Sequence, residues 1–219
     1  MKKEVSTNSI ARRGFMLVLS SPSGVGKTTV ARKVLDLEEE LNHSISVTTR
    51  PRRESEEEAK DYYFVDEVSF AQMVKDKQFL EHAHVYGYHY GTPKSSIENL
   101  LAKGIDVLFD IDWQGTQQLK QISMSDLVSV FLLPPTIETL EERLRKRGED
   151  SEEIIRKRMS KAADEISHWA EYDYVIVNNT LNESIQALRA ILQAERLRRR
   201  RQVGLAQFVN SLRGEDTIF

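Results

Sequence analysis

The sequence predicts an α/β fold, a parallel sheet covered by helices on both faces and interrupted by two insertions. Three observations carry this reading. Apolar runs such as Phe15–Leu19 ("FMLVL") and Leu127–Leu133 ("LVSVFLL") lack polar alternation, as strands buried on both faces require. Helical segments recur between them, in the order that crossover connections produce. The first apolar run ends in a Gly-rich turn, "SSPSGVGKTT", that leads straight into a helix.

Each element follows from its own pattern. Phe15–Leu19 is a short strand stopped by Ser-Pro-Ser-Gly. Val30, Val34, Leu37 and Leu41 recur at helical spacing, predicting a helix from near Lys27 that packs on the sheet. "HSISV" reads as a second strand. Arg50 to Asp61 is densely charged and carries Pro51, so it is a surface loop. "YYFV" resumes a strand, "SFAQMVKDKQFL" is helical, and "HVYGYHYGT" is a Gly-punctuated strand pair. "SSIENLLAKG" is a helix with a Ser N-cap and a terminal Gly. "IDVLFDID" and "LVSVFLLPP" are buried strands. "TIETLEERLRKRG" and "SEEIIRKRMSKAADEISHWA" are two helices around a turn at Gly148. "YDYVIVNN" is the last strand and "NESIQALRAILQAERLRRRR" the closing helix. The expected layout is a flexible tail over 1–13 and one domain over 14–219. Its core comprises 14–48, 93–136 and 168–219, with insertions at 49–92 and 137–167.

Composition narrows the function. A chain of 219 residues, 30 % charged and 40 % hydrophobic, is ordinary for one globular α/β domain. The net charge of -3 argues against wholesale nucleic-acid binding. The absence of cysteine excludes a disulfide framework and a thiol nucleophile, which fits a reducing cytosol. No apolar run is long enough for a membrane span, and the N-terminal one is short for a signal sequence. The expected location is cytoplasmic.

Ser21, Pro22, Ser23, Gly24, Val25, Gly26, Lys27, Thr28 and Thr29 form a phosphate-binding loop of the P-loop NTPase type. Gly24 and Gly26 let backbone N–H groups turn toward an anion. Lys27 brings a compact charge to the β- and γ-phosphates, and Thr28 a hydroxyl for Mg²⁺. The helix N-terminus adds its dipole. The departure is Ser21, where the common pattern has Gly. A donor phosphate needs an acceptor. Arg50 and Arg53 can clamp a phosphate with paired N–H donors. Around them stand Ser46, Tyr62, Glu81, Tyr90 and Thr92. Taken singly, Glu81 reads as a solvated carboxylate and Tyr90 as a core aromatic; the set argues otherwise.

From about Phe15 to Arg196 the chain resembles guanylate kinase. The motifs that carry the resemblance are "SSPSGVGKTT", "SISVTTR", "DYYFV", "FLEHAHVYGYHYGT", "DVLFDIDWQG", "FLLPP", "EERLRKRGEDSEEIIRKRM" and "YDYVIVNN". The resemblance implies transfer of the γ-phosphoryl of Mg-ATP to GMP, with dGMP as a further acceptor. It makes the first insertion a GMP-binding lobe and the second an Arg-rich helical lid. By position, phosphate contacts fall on Arg50, Arg53, Tyr62 and Tyr90. Guanine contacts fall on Ser46, Glu81 and Thr92, with Asp110 or Asp112 nearby. Arg143, Arg147 and Arg158 are the lid arginines that join Lys27 in catalysis. Mg²⁺ enters with ATP, on Thr28, with Asp112 reached through water. The chain departs from the family at Ser21, at Pro51 and at Ser55 and Ala59, where loop glycines are usual. Bacterial relatives of the family often form oligomers, which leaves a homo-oligomer open. Two rivals stand beside this reading: a related kinase acting on AMP, UMP or a ribosyl phosphate, and a non-catalytic binding module.

Overall fold

The computed structural model describes residues 10–94, 97–122, 125–147 and 151–214. Two sheets organise them. The larger holds β1 (Met16–Ser20), β2 (Leu41–His43), β7 (Asp106–Asp110), β8 (Leu127–Leu133) and β9 (Tyr174–Val177) in the order β2-β7-β1-β8-β9, all parallel. Its helices are α1 (Lys27–Leu35), α3 (Ile97–Ala102), α4 (Trp113–Ile122), α5 (Ile137–Arg147), α6 (Glu152–Ser167) and α7 (Leu181–Arg196). The smaller sheet joins β3 (Ser46–Thr48), β4 (Tyr62–Phe64), β5 (Phe79–Val85) and β6 (Tyr88–Pro93) in the order β4-β3-β6-β5. Helix α2 (Glu67–Lys75) covers it, and α8 (Leu205–Leu212) ends the described chain.

Strand alternation in the larger sheet builds two cores. Leu17, Leu19 and Leu108 pack on one face with Val30, Val34, Leu188 and Leu192. Met16, Val18, Val107 and Phe109 pack on the other with Ile97, Leu101 and Leu119. Both faces are covered, which is why the strands read as unbroken apolar runs. β1 lies between β7 and β8, so its carboxyl end is where the connections part to opposite sides, the usual ligand crevice of such sheets.

Several expectations are corrected. "HSISV" is not one core strand. The chain turns after His43, leaving β2 in the large sheet and β3 in the small one, so the second lobe begins at Ser46 and not at residue 49. Leu41 belongs to β2, and Leu37 is 52 % exposed, so the amphipathic stripe of α1 stops at Val34. Helix α4 was not anticipated between β7 and β8, although two parallel strands of one sheet need such a crossover. Helix α8 was also missed. The expected Ser N-cap of α3 and the Gly148 turn lie outside the described residues.

The tail expected over 1–13 is bound at its end. The Arg13 N–H donates to the Arg201 carbonyl at 2.6 Å and the Gly204 N–H to the Ala11 carbonyl at 2.9 Å. Arg12 pairs with the fully buried Asp106, and Arg13 with Asp126 and Glu98. The C-terminal arginine run is partly turned inward too. Arg196 pairs with Glu38 and Asp106, and Arg201 with Glu195 while lying 4.3 Å over the Phe15 ring. No helix among the described residues is long and apolar enough to cross a membrane.

Ala59 adopts φ +60°, in the left-handed region. Its N–H donates to the Tyr62 carbonyl at 2.9 Å, which closes the turn into β4. An alanine here carries a steric cost that glycine avoids. Ala59→Gly is expected to stabilise the fold by about 0.5–1 kcal/mol, the left-handed cost less the added freedom of the unfolded chain. A melting temperature about 2 °C higher would show it.

Candidate functional site

The loop after β1 is fixed from beneath. The Ser20 hydroxyl donates to the Ile111 carbonyl at 2.7 Å. Gly24 and Gly26 adopt φ +95° and +104°, and a Cβ on Gly24 would lie 2.7 Å from the Leu144 side chain. The buried Val25 turns its carbonyl toward Arg143 and Asn178, each donating at 2.8 Å. Ser184 in turn holds Asn178 through a 2.7 Å bond. Ser21 fits the loop, its hydroxyl donating to the Pro22 carbonyl at 2.9 Å. Helix α1 opens after Gly26 with no side-chain cap, leaving its dipole and first N–H groups facing a prospective anion.

Lys27 pairs with Asp110, and Thr28 donates to the same carboxylate at 3.1 Å. Burial alone would raise the Asp110 carboxyl. The Lys27 ammonium and the Thr28 hydroxyl hold it below its ordinary range. The β1–β7 register, Leu19 opposite Asp110, puts this carboxylate beside the loop. Asp112 goes elsewhere. It accepts the Gly115 N–H at 3.0 Å at the start of α4, and burial raises its carboxyl. The two aspartates therefore part, and the one against Thr28 is Asp110. Among the described residues no group of three or more His, Asp or Glu gathers as a metal cage. The Thr28 hydroxyl and Asp110 form a hard oxygen pair suited to Mg²⁺ carried on a polyphosphate.

The second cluster is a product of strand register. Ser46 pairs with Tyr62, Thr48 with Tyr90, and Glu81 with Thr92. Paired residues share a face, so Ser46, Tyr62, Glu81, Tyr90 and Thr92 all point the same way. A β-bulge between Phe79 and Glu81 makes this possible. Without it Phe79 and Glu81 would share a side. With it Phe79 packs on Gly91 and Phe70, toward α2, and Glu81 faces the site. Glu81 is 3 % exposed and Thr92 fully buried. Thr92 donates to Glu81 at 2.6 Å, and the Ser46 and Thr92 hydroxyls lie 3.5 Å apart. Burial pushes the Glu81 carboxyl up to about 7; the Thr92 hydroxyl pulls it down, and the nearby Asp112 charge adds to the rise.

At the rim, Arg50 lies 5.4 Å over the Tyr62 ring and bonds Glu56 at 2.6 Å. Tyr62 and Tyr90 meet edge to face at 5.9 Å. Glu56 also accepts the Arg53 backbone N–H at 3.0 Å and lies 4.0 Å from its guanidinium. The Tyr62 hydroxyl is raised by burial and by the Asp110 charge, which ties this rim electrostatically to the loop.

Of the arginines expected on a lid, Arg143 reaches the Val25 and Asn178 carbonyls and Arg158 the Ser23 hydroxyl at 3.0 Å. Arg147 ends α5, and its side chain lies outside the described residues. Sequence reasoning missed Glu56, Gly115, Asn178 and Glu165. Glu56 is one of three consecutive glutamates, and nothing in the sequence separates the buried one. Gly115 leaves room for the Glu81 carboxylate, since a Cβ there would lie 2.5 Å from a Glu81 oxygen and displace it. Asn178 follows the last strand, where a residue at a sheet's carboxyl end often faces the crevice.

A family profile described as Guanylate kinase matches residues 13–195. The guanylate kinase of Paramagnetospirillum magneticum is 57 % identical over 205 residues, covering 94 % of this chain and 96 % of that one. That of Zymomonas mobilis is 53 % identical over 203 residues, covering 93 % and 94 %. The crystal structure of guanylate kinase from Anaplasma phagocytophilum superposes with a TM-score of 0.81 at 40 % identity, covering 96 % of this chain and 100 % of that one. The chain belongs to the guanylate kinase family.

Proposed function

We propose that the chain transfers the γ-phosphoryl of Mg-ATP to GMP, giving ADP and GDP. The family supports the reaction class. The observation that carries the acceptor is the buried Glu81 carboxylate beside Thr92 and Ser46. Guanine offers N1–H and an exocyclic amine on one edge, and an ionised carboxylate can accept both. Adenine would present an acceptor at N1 and leave the buried carboxylate unpaired. The Ser46 or Thr92 hydroxyl can donate to the guanine carbonyl. A ribose without its 2′ hydroxyl meets none of these groups differently, so dGMP is a second acceptor.

Chemically little is asked of the protein beyond alignment and charge. The Ser21–Thr29 loop and α1 cradle the triphosphate. Lys27 exchanges Asp110 for the β- and γ-oxygens. Arg50, Arg53, Tyr62 and Tyr90 hold the acceptor phosphate, with Arg50 released from Glu56. Arg143, Arg147 and Arg158 belong to the lid, 137–167, which excludes water from the migrating group. Mg²⁺, with Thr28 and Asp110 as its protein-side oxygens, neutralises phosphate charge when bound. Asp112 acts from the acceptor side, next to Glu81. The lobe at 46–93 brings in GMP, the role belongs to guanine-nucleotide recycling, and the chain works in the cytoplasm. Incubation with Mg-ATP and GMP is expected to yield ADP and GDP in equal amounts; ADP formed without GDP would refute the transfer.

A further inference from the structure

Glu165 joins three parts of the molecule. On α6, its Oε2 accepts the Ser23 N–H of the phosphate loop at 3.0 Å. Its Oε1 accepts the Tyr86 hydroxyl at 2.5 Å. Tyr86 sits in the turn between β5 and β6, at the tip of the acceptor lobe. The same helix face carries Arg158 and Lys161, seven and four residues earlier, a spacing that stacks side chains in a row. Arg158 and Lys161 lie 5.5 and 5.2 Å from the Tyr86 ring centroid, and Arg158 also reaches the Ser23 hydroxyl at 3.0 Å. One face of α6 therefore grips a loop residue and a lobe residue together.

The turn is shaped for this contact. Tyr86 and Gly87 have φ +51° and +90°, as a two-residue hairpin turn with both central residues left-handed demands. That first position favours Asn, Asp or Gly, and a bulky aromatic is costly there. The ring spends that strain on reaching α6. Burial and Glu165 both push the Tyr86 hydroxyl up, which keeps it a donor to the carboxylate.

We propose that Glu165 is a positioning residue that couples closure of the acceptor lobe to the setting of the phosphate loop. One carboxylate oxygen holds Ser23 only while α6 is seated, and the other holds Tyr86 only while the lobe is closed. Seating of the acceptor thus favours the loop geometry that binds the donor, and the reverse follows by reciprocity. This rests on the phosphotransfer proposed above.

The test compares wild type, Glu165→Gln, Tyr86→Phe and the double variant. Glutamine keeps one acceptor oxygen and loses the other. Each single variant is expected to lower kcat/KM for ATP at saturating GMP about tenfold, as losing a hydrogen bond to a charged group does. The double variant should be no slower than the slower single, because both break one connection. Binding of a non-hydrolysable ATP analogue, measured with and without GMP, should lose most of the tightening that GMP gives wild type. Additive rate losses, intact tightening, or losses that only follow a fall in melting temperature would overturn the proposal. Tyr86→Phe alone suffices if Glu165→Gln does not fold, since it removes one hydroxyl from the tip. Wild-type GDP formation in the same assay reports separately on the function itself.

Discussion

Replacing Lys27 with alanine is expected to lower GDP formation by about 10³-fold or more while the chain still folds. The ammonium is the one compact cation at the head of α1, and charge that develops on the transferring phosphoryl must be met there. A confounding effect can be separated. Lys27 partners Asp110, whose side chain is 10 % exposed, so its loss leaves a nearly buried carboxylate supported, among the described residues, by the Thr28 hydroxyl and the nearby His43. Breaking such a pair is destabilising in itself. Asp110 is held below its ordinary value of 3.8, so the pair's contribution is present above that value and lost as pH falls through the depressed one. The melting difference between wild type and Lys27→Ala should therefore be full at neutral pH and close in acid. Adding Asp110→Asn to Lys27→Ala removes the stranded charge and should restore much of the stability at pH 7. It should restore none of the activity. Recovery of GDP formation in the double variant would show that Lys27 serves only to neutralise Asp110.

Glu81→Gln is expected to weaken GMP binding by about 10²-fold or more, since two hydrogen bonds to a charged acceptor are lost or reversed. ATP binding should change by less than about threefold. In wild type, the Glu81 carboxyl stands near 7, so GMP affinity should fall as pH drops below that value while ATP affinity does not follow. Stability moves the opposite way. Glu81 is raised from 4.5 to about 7 by burial, so its ionised form destabilises the ligand-free fold above pH 7. Protonation relieves that cost as pH falls toward 4.5. The ceiling is about 3 kcal/mol, from about 1.4 kcal/mol per pH unit between those values. Glutamine keeps an acceptor for Thr92 and carries no charge. Glu81→Gln should therefore melt higher than wild type at pH 8, with the gap closing near pH 5. Calorimetry across that range, beside titration with each nucleotide, checks both halves. A variant that loses stability and both nucleotides together would make Glu81 a structural residue.

Much of this was legible in the sequence because local signals and tertiary role coincide. The loop from Ser21 to Thr29 declares itself through two glycines and a Lys-Thr pair that lead into a helix, and the structure finds both glycines left-handed. The β5–β6 hairpin was readable from its aromatic, Gly-punctuated run. What escaped depends on partners distant in the chain. Nothing local separates Leu41–His43 from Ser46–Thr48, yet two residues between them divide the sheets. Strand alternation through "DID" would put Asp110 and Asp112 on one face, but β7 ends at Asp110, and Asp112 already belongs to the turn into α4. The bulge that turns Glu81 inward leaves no mark in "FLEHAHV". Glu165 looks like any glutamate of a charged helix until Ser23 and Tyr86 arrive from 142 and 79 residues away.

An acceptor panel tests the central claim most directly: GMP, dGMP, AMP, UMP and CMP, each with Mg-ATP, compared by kcat/KM for diphosphate formation. With Glu81, Thr92 and Ser46 reading the guanine edge, GMP should exceed AMP and both pyrimidine nucleotides by about 10³-fold or more, with dGMP closer to GMP. AMP or a pyrimidine nucleotide accepted as well as GMP, or tight ATP binding with no diphosphate from any of the five, would contradict it.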